Sequence, residues 1–146
     1  MATVSHLTDA VLSAIRAALP EVDSWSAAGY EPAIGTQRVA LIGTALGHQD
    51  DVRLNTLNGG IEATHRLRVQ LWTRIVRGDE AAGIGTARDV GYRALRAVAL
   101  ADGDDYELAP DEDMTARTDD TILVVGELPF VRTVLTIPVW QAEEGS

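Results

Sequence analysis

The chain contains no cysteine and no lysine, and no apolar run reaches the length of about 20 residues needed to cross a bilayer. Without cysteine, disulfide frameworks, thiolate metal sites and cysteine nucleophiles are excluded. Without lysine, a Walker-type phosphate-binding loop is excluded as well. The stretch MATVSHLTDA lacks the basic-then-apolar order of a secretion signal, so we expect neither secretion nor a membrane segment.

Positive charge is scarce in this chain. Its 12 basic residues, all of them arginine, stand against 22 acidic residues, and the formal net charge is −10. Exclusive use of arginine beside abundant Ala, Gly and Asp is typical of a GC-rich genome, so the arginine count alone does not indicate arginine chemistry. A strongly negative chain repels phosphate backbones, which disfavours general nucleic-acid binding.

Two amphipathic helices are predicted in what we expect to be a single domain, 1–146, since the length suits one domain. Apolar residues at helical spacing predict the first helix over 5–19, and Pro20 ends it. The same spacing predicts the second helix over 79–100. Small residues of the second helix favour close packing on a sheet: Gly83, Gly85, Ala87 and Gly91.

A long β-hairpin is predicted between the helices, with 37–57 paired with 61–76. Asn58-Gly59 supplies the positive φ angles of a tight turn. Its arms exceed the usual strand length of about 5–6 residues. We therefore expect the tip, 48–63, to project beyond the core, and to be mobile because it has few apolar residues to bury.

A short strand around YEL and two longer strands, 119–128 and 129–141, are predicted after the second helix. Pro138 cannot donate a ladder hydrogen bond, so we expect it at a sheet edge or beyond the sheet. Residues 142–146 are expected to form a flexible tail. The order α-β-β-α-(β)-β-β predicts an α+β fold: an antiparallel sheet built on a long β-hairpin, with two helices packed on one face.

Motifs that would carry catalysis or bind a cofactor are incomplete. GIGTAR (83–88) has arginine where a dinucleotide fingerprint needs its third glycine, and it lacks the βαβ context. GHQDD (47–51) brings His48 near carboxylates but lacks the three or four converging ligands of a metal site. The acidic stretch from Gly103 to Asp120 lacks the pattern of a calcium loop. We expect no catalytic residue, no metal and no cofactor.

The stretch HRLRVQLWTR (65–74) has a two-residue alternation. One face of the predicted strand is apolar and suits a core: Leu67, Val69, Leu71, Thr73 and Ile75. The other face is polar with one aromatic: Arg66, Arg68, Gln70, Trp72 and Arg74. Two interpretations stay open for this second face. It is a solvated surface whose arginines pair with carboxylates, or it is an interface, because Trp and Arg are enriched at binding hot spots.

The order of segments carries a family resemblance. A leading amphipathic helix is followed by a hairpin whose second arm reads HRLRVQLWTR, by the helical GDEAAGIGTARDVGYRALRA and by a closing strand, RTVLTIPVWQ. This order resembles the tail-terminator or tail-completion proteins of long-tailed bacteriophages and gene-transfer particles. The resemblance spans nearly the whole chain and is strongest from His65 to Ala97. Its pattern is His-x-Leu/Arg-x-Val-x-Leu-Trp, a short turn, and an alanine-rich helix with Ala-Leu near its end.

The resemblance implies a structural virion protein without catalysis or cofactor, assembled in the host cytoplasm. Such proteins form a ring, commonly a hexamer, on the head-proximal end of the tail tube. The ring stops tube polymerisation and offers a surface to the head–tail connector protein. DNA would pass through the channel without specific binding, and the net negative charge suits that role.

Candidate contact residues follow from this chain alone, because the resemblance transfers none. Alternating arginine-rich and acidic faces allow head-to-tail contacts that close into a ring. The residues expected at the contact between subunits are Arg66, Arg68, Trp72, Arg74, Asp111, Glu112, Asp113, Asp119 and Asp120. The residues expected to contact the tail from the hairpin are Arg53, Asn55, Asn58 and Glu62.

Three alternatives remain open at this point. Another head–tail joining or minor tail protein shares the size, acidity and ring assembly. A small metal-dependent hydrolase would use His48, Asp50 and Asp51 with the acidic residues of 111–120. A ligand-binding α+β domain would be a monomer with an occupied apolar pocket.

Overall fold

A computed structural model describes residues 4–22, 24–26, 39–42, 49–54, 60–119, 121–125 and 127–143. Its elements, in chain order, are α1 (Val4–Ala18), β1 (Ser24–Ser26), β2 (Val39–Ile42), β3 (Gln49–Leu54), β4 (Ile61–Arg74), α2 (Glu80–Leu100), β5 (Glu107–Leu108), β6 (Thr115–Thr118), β7 (Leu123–Val125) and β8 (Leu128–Glu143). The fold is α+β, as the sequence predicts.

Two long antiparallel strands, β4 and β8, form the centre of the sheet. They pair without interruption from Ile61–Glu143 to Arg74–Phe130. Short strands line both sides of this pair. β2 and β3 pair with β4, whereas β5, β6 and β7 pair with β8. The sheet is antiparallel except for the parallel β1–β2 pair.

Both helices cover one face of the sheet, which we call the inner face. The alternation of β4 and β8 turns apolar residues toward this face and the intervening residues toward the opposite, outer face. Buried residues of the two strands and two helices form one core: Leu67, Val69, Leu71, Leu135, Ile137, Val139, Val11, Ile15, Val90, Ala94 and Val98.

Two glycines let α2 approach the sheet closely. A Cβ built at Gly91 would lie 2.9 Å from Cγ2 of Thr133, and one at Gly83 would lie 2.2 Å from Cδ1 of Ile75. At Gly85 an added Cβ would meet nothing within 4 Å. The predicted role of small residues therefore holds for Gly83 and Gly91, whereas Gly85 serves no packing purpose.

The predicted strand 119–128 is only partly correct. The chain instead forms β6 (Thr115–Thr118) before this range and β7 (Leu123–Val125) within it. Both strands pair side by side along the 16-residue β8, which is long enough to take successive partners. Asp119 extends the β6 ladder through a hydrogen bond from its N–H to the carbonyl of Arg132 (2.9 Å).

Pro138 does not lie at an edge, so this expectation is wrong. It is buried within β8 opposite Arg66 of β4. Its carbonyl accepts a hydrogen bond from the N–H of Ala109 (3.0 Å). The N–H and C=O of one residue point to the same side of an antiparallel strand. The backbone N–H that proline lacks would therefore have pointed toward Ala109 and not toward β4. The β4–β8 ladder therefore loses no hydrogen bond.

The described parts of the expected hairpin tip are paired strands of the sheet, and the projection of the tip beyond the core stays a prediction. Strand β3 (Gln49–Leu54) pairs with β4, and the same stretch of β4 pairs with β8 on its other side. Residues 48 and 55–59 of the tip lie outside the described residues, and its mobility stays a prediction. At the other end, Ala142 and Glu143 belong to β8 and pair with β4, so the expected tail does not begin at 142.

Candidate interaction surface

Trp72 is buried on the outer face of the sheet. Its side chain is 4% exposed and makes an edge-to-face contact with Phe130, with ring centroids 6.2 Å apart. Leu123 and Leu128 pack against this pair. The expectation that Trp72 is a solvent-facing anchor for a neighbouring subunit is therefore wrong, because side chains of β7 and β8 occupy the contact area that a partner would use.

Polar partners complete the cover of Trp72. Its indole N–H donates to Oε1 of Gln70 (3.2 Å), and the guanidinium carbon of Arg132 lies 5.9 Å from the centroid of the ring system. Arg132 in turn donates from Nε and Nη2 to Oδ2 of Asp119, at 3.0 and 2.9 Å. Asp119, which was expected at a contact between subunits, therefore already has an arginine partner in its own chain.

Arg66 pairs with Glu112 of its own chain. Nη2 of Arg66 donates to Oε1 of Glu112, and the two side chains are 24% and 29% exposed. From the sequence, a pairing between arginines of β4 and the acidic residues of 111–113 is expected across the contact between subunits. The structure shows it within one chain, because the segment between β5 and β6 brings Glu112 to the strand. Arg66 and Glu112 therefore already have each other as partners within the chain, and their place at a contact between subunits stays a prediction.

Four residues of the predicted contact form no ion pair within the part of the chain that the structure describes. Arg68 is exposed and Arg74 is half-buried, and neither forms an ion pair with a described residue. Asp111 and Asp113 are exposed on either side of Glu112 and likewise have no described ion-pair partner. Asp120 lies outside the described residues. These four charges remain candidates for contact with another molecule.

The predicted tail-contact residues are only partly described. Arg53 lies in β3, where its backbone pairs with Glu62 of β4, and the Glu62 side chain is half-buried. Asn55 and Asn58 lie outside the described residues. Their role in a tail contact stays a prediction.

The residues of the hydrolase alternative do not come together as a described site. His48 lies outside the described residues, whereas Asp50 and Asp51 lie in β3 opposite His65 and Thr64. Across the described ranges, no group of three or more His, Cys, Asp or Glu side chains could hold a metal ion.

A stripe of exposed side chains on α2 escaped the sequence analysis. It consists of Arg88, Tyr92, Arg96 and Leu100, which we call the α2 stripe. Tyr92 is 65% and Leu100 is 76% exposed, and both arginines are exposed. The four-residue spacing, which puts side chains on one helix face, is the signal that could have revealed it.

Arg93 of the same helix has a structural role instead. Both of its Nη atoms donate to the carboxylate of Glu21, and Nη2 also donates to the carbonyl of Ala18 at the end of α1 (2.9 Å). Its hydrogen bond lowers the pKa of the Glu21 carboxyl. Arg93 therefore joins the C-terminal end of α1 to α2, where a cation is favourable.

Carboxylates concentrate in the segment that follows α2. Residues 102–113 contain seven acidic residues and no basic one. Asp104, Asp105 and Glu107 line an open cleft of about 280 Å³ together with Leu7 and Trp140, and we call this group the acidic cleft. Its three carboxylates are exposed, and Trp140 is half-buried.

Tyr106 anchors the acidic cleft to the core. Its hydroxyl donates to the carbonyl of Val98 (2.6 Å), and its side chain is 4% exposed. Burial, followed by the charges of Asp102 and Asp104, raises the pKa of Tyr106 to about 12. Oδ1 of Asp102 also accepts a hydrogen bond from the N–H of Leu108 (2.9 Å), which ties the turn to β5.

Neither described helix is both long and apolar enough to span a membrane. No protein-family model matches the chain, and no curated protein matches it significantly.

Proposed function

We propose that this protein forms a ring that caps the head-proximal end of a phage tail tube. The ring stops the addition of tube subunits and provides the surface on which the head–tail connector protein docks. No catalytic step and no cofactor belong to this function. The order of elements supports the proposal, because a first helix, paired strands, a second helix and a long closing strand follow the segment order on which the family resemblance rests.

One observation supports the ring itself: charges of opposite sign on one subunit have no ion-pair partner among the described residues. Arg68, Arg88 and Arg96 form no ion pair with a described residue, and neither do the exposed carboxylates of Asp104 and Asp105. Different surfaces of opposite charge on one subunit suit heterologous contacts, which produce rings when the rotation between subunits closes. Electrostatic complementarity of this kind fixes partner and register.

The net charge supports the passage of DNA through such a ring. A subunit with a formal net charge of −10 contributes a repulsive field to a central channel, so phosphate backbones are not retained. Each added subunit strengthens that field.

Tail tubes assembled with and without the chain test this proposal. The tail tube protein of the same genome is polymerised, the purified chain is added, and the products are examined by electron microscopy and native mass spectrometry. We expect shorter tubes with a ring at one end only, and a cyclic oligomer of the chain in the mass spectrum. Tubes that grow to the same length, with no chain bound at their ends, would contradict the proposal. Binding to the connector protein alone would instead identify a head-side joining protein.

A further inference from the structure

The α2 stripe is exposed, and no contact among the described residues accounts for its side chains. Tyr92 and Leu100 leave most of their apolar surface in water, and no described residue pairs with Arg88 or Arg96. Arg93, by contrast, donates hydrogen bonds to Glu21 and Ala18 within its own chain. Arginine and tyrosine side by side are the residue types that most often provide binding energy at protein interfaces.

The acidic cleft has the complementary chemistry. Asp104, Asp105 and Glu107 bring three exposed carboxylates to a depression that also contains the indole of Trp140. Carboxylates bind guanidinium groups with two parallel hydrogen bonds, and an aromatic face attracts the same cation. An arginine entering this cleft would find both kinds of partner.

Arg88 lies at the end of the stripe that is farther from the acidic cleft of its own subunit. Arg88 precedes the last residue of α2 by twelve positions, which correspond to about 18 Å along the helix axis. Helical side chains also tilt toward the N-terminus, whereas the turn of Asp104 and Asp105 follows the C-terminal end of α2. Among the described residues, no ion pair joins Arg88 or Arg96 to the carboxylates of their own cleft.

We infer that the α2 stripe of one copy docks on the acidic cleft of a second copy of this chain. Each copy presents both halves of the contact, so the association is head-to-tail and repeats around a ring. The inference rests on the proposed ring and assigns its subunit contact. It replaces the sheet-face contact expected from the sequence, in which Trp72 and Arg66 turned out to be occupied within the chain.

Charge reversal tests the contact. Arg88→Glu with Arg96→Glu reverses the stripe, and Asp104→Arg with Asp105→Arg reverses the cleft. Each double variant is expected to associate at least about tenfold more weakly than the unchanged chain in sedimentation velocity at low salt, because like charges then face each other. The fourfold variant, with both surfaces reversed, is expected to regain association. An equimolar mixture of the two double variants is expected to regain it as well, since opposite charges then meet at every contact.

A matched control changes the net charge by the same amount as the stripe variant but leaves the α2 stripe intact. Arg77→Glu with Arg117→Glu reverses two exposed arginines outside the stripe and is expected to associate like the unchanged chain. Circular dichroism and thermal unfolding of every variant establish that the fold is kept. If the stripe and cleft variants associate as well as this control, the inference is overturned, while the ring can still form through another surface.

Cross-linking distinguishes a head-to-tail contact from a symmetric one. The chain has no cysteine, so Arg88→Cys and Asp104→Cys each introduce a single thiol. Under oxidation, the mixed variants are expected to form a disulfide dimer of one copy of each, and each variant alone is expected to form none. A dimer of Arg88→Cys with itself would overturn the head-to-tail arrangement. If the unchanged chain does not associate, either alone or on tail tubes, the proposed function and this inference both fail.

Discussion

The two faces of the β4–β8 sheet bury their residues in different ways. On the inner face, two helices cover a continuous apolar layer that includes Leu71, which is fully buried. On the outer face, Trp72 is buried beneath Phe130 and Arg132, which belong to the adjacent strand. Leu71 and Trp72 are neighbours in the sequence. A sheet face that no described helix covers can therefore still be closed by its own side chains.

The largest expected effect concerns Trp72. Replacing Trp72 with Ala is expected to lower the free energy of unfolding by about 3–5 kcal/mol, as much as Leu71→Ala on the inner face, where about 2–5 kcal/mol is expected. Urea unfolding of both variants measures this. The matched control is Arg68→Ala, an exposed position on the same face, with an expected change within about 0.5 kcal/mol. A cost below about 1 kcal/mol for Trp72→Ala would show that the outer face is open.

The buried hydroxyl of Tyr106 makes the inner core sensitive to alkaline pH. The folded-state pKa of about 12 exceeds the ordinary value of 10.0, so the associated stability is present below about pH 10 and is lost as the pH rises through about 12. Near pH 11.5 we expect a loss of about 2 kcal/mol relative to pH 9. In Tyr106→Phe this loss is absent, although the missing hydrogen bond costs about 1 kcal/mol at neutral pH.

Urea unfolding of the chain and of Tyr106→Phe at both pH values measures the difference, in which the other titrating groups cancel. The unchanged chain is expected to be the more stable at pH 9 and the less stable near pH 11.5. Parallel pH dependences of the two chains would mean that Tyr106 is not shielded from water.

Glycine positions separate close helix–sheet packing from simple helix propensity. Gly91→Ala is expected to lower stability by about 1–3 kcal/mol, because its new Cβ would lie 2.9 Å from Cγ2 of Thr133. Gly85→Ala, on the same helix and without a neighbour within 4 Å, is expected to raise stability by up to about 1 kcal/mol. Thermal unfolding compares the two variants. Equal gains at both positions would contradict the close approach of α2 to β8.

The smallest expected effect is that of the ion pair on the outer face. A double-mutant cycle with Arg66→Ala and Glu112→Ala is expected to give a coupling energy of about 1 kcal/mol, because both side chains are partly exposed although Oε2 of Glu112 is buried. The coupling is expected to fall as salt is added. A coupling energy of several kcal/mol would indicate that this part of the outer face is as closed as the helix-covered side.

Helices were the most predictable part of the fold. The predicted ranges 5–19 and 79–100 agree with α1 and α2 to within one residue, because apolar spacing and the proline after α1 depend on local sequence. The pairing of the first hairpin arm with the second arm, β4, also followed from alternation and turn signals. The four-residue spacing of the α2 stripe is a local signal of the same kind.

The features that local sequence patterns did not predict depend on contacts between residues far apart along the chain. Alternation states on which side of β4 Trp72 lies, but the burial of Trp72 depends on Phe130, which is 58 positions away along the chain. The pairing of Arg66 with Glu112 depends on the path of the segment between β5 and β6. Pro138 can lie in a central strand without disrupting the sheet because the short β5 ends beside it. None of these arrangements has a local sequence signal.

The long β4–β8 pairing also determines when this protein can fold. Its partners are 56 residues apart at Arg74–Phe130 and 82 residues apart at Ile61–Glu143, so every contact of the central ladder closes a long loop. Proteins dominated by such pairings fold slowly, since chain entropy is lost before the contacts form. On a ribosome that adds about 5–20 residues per second, β4 would wait several seconds for β8. Until β8 emerges, β4 lacks the strand that pairs with it along its full length, and an unpaired strand edge of this kind is prone to aggregation.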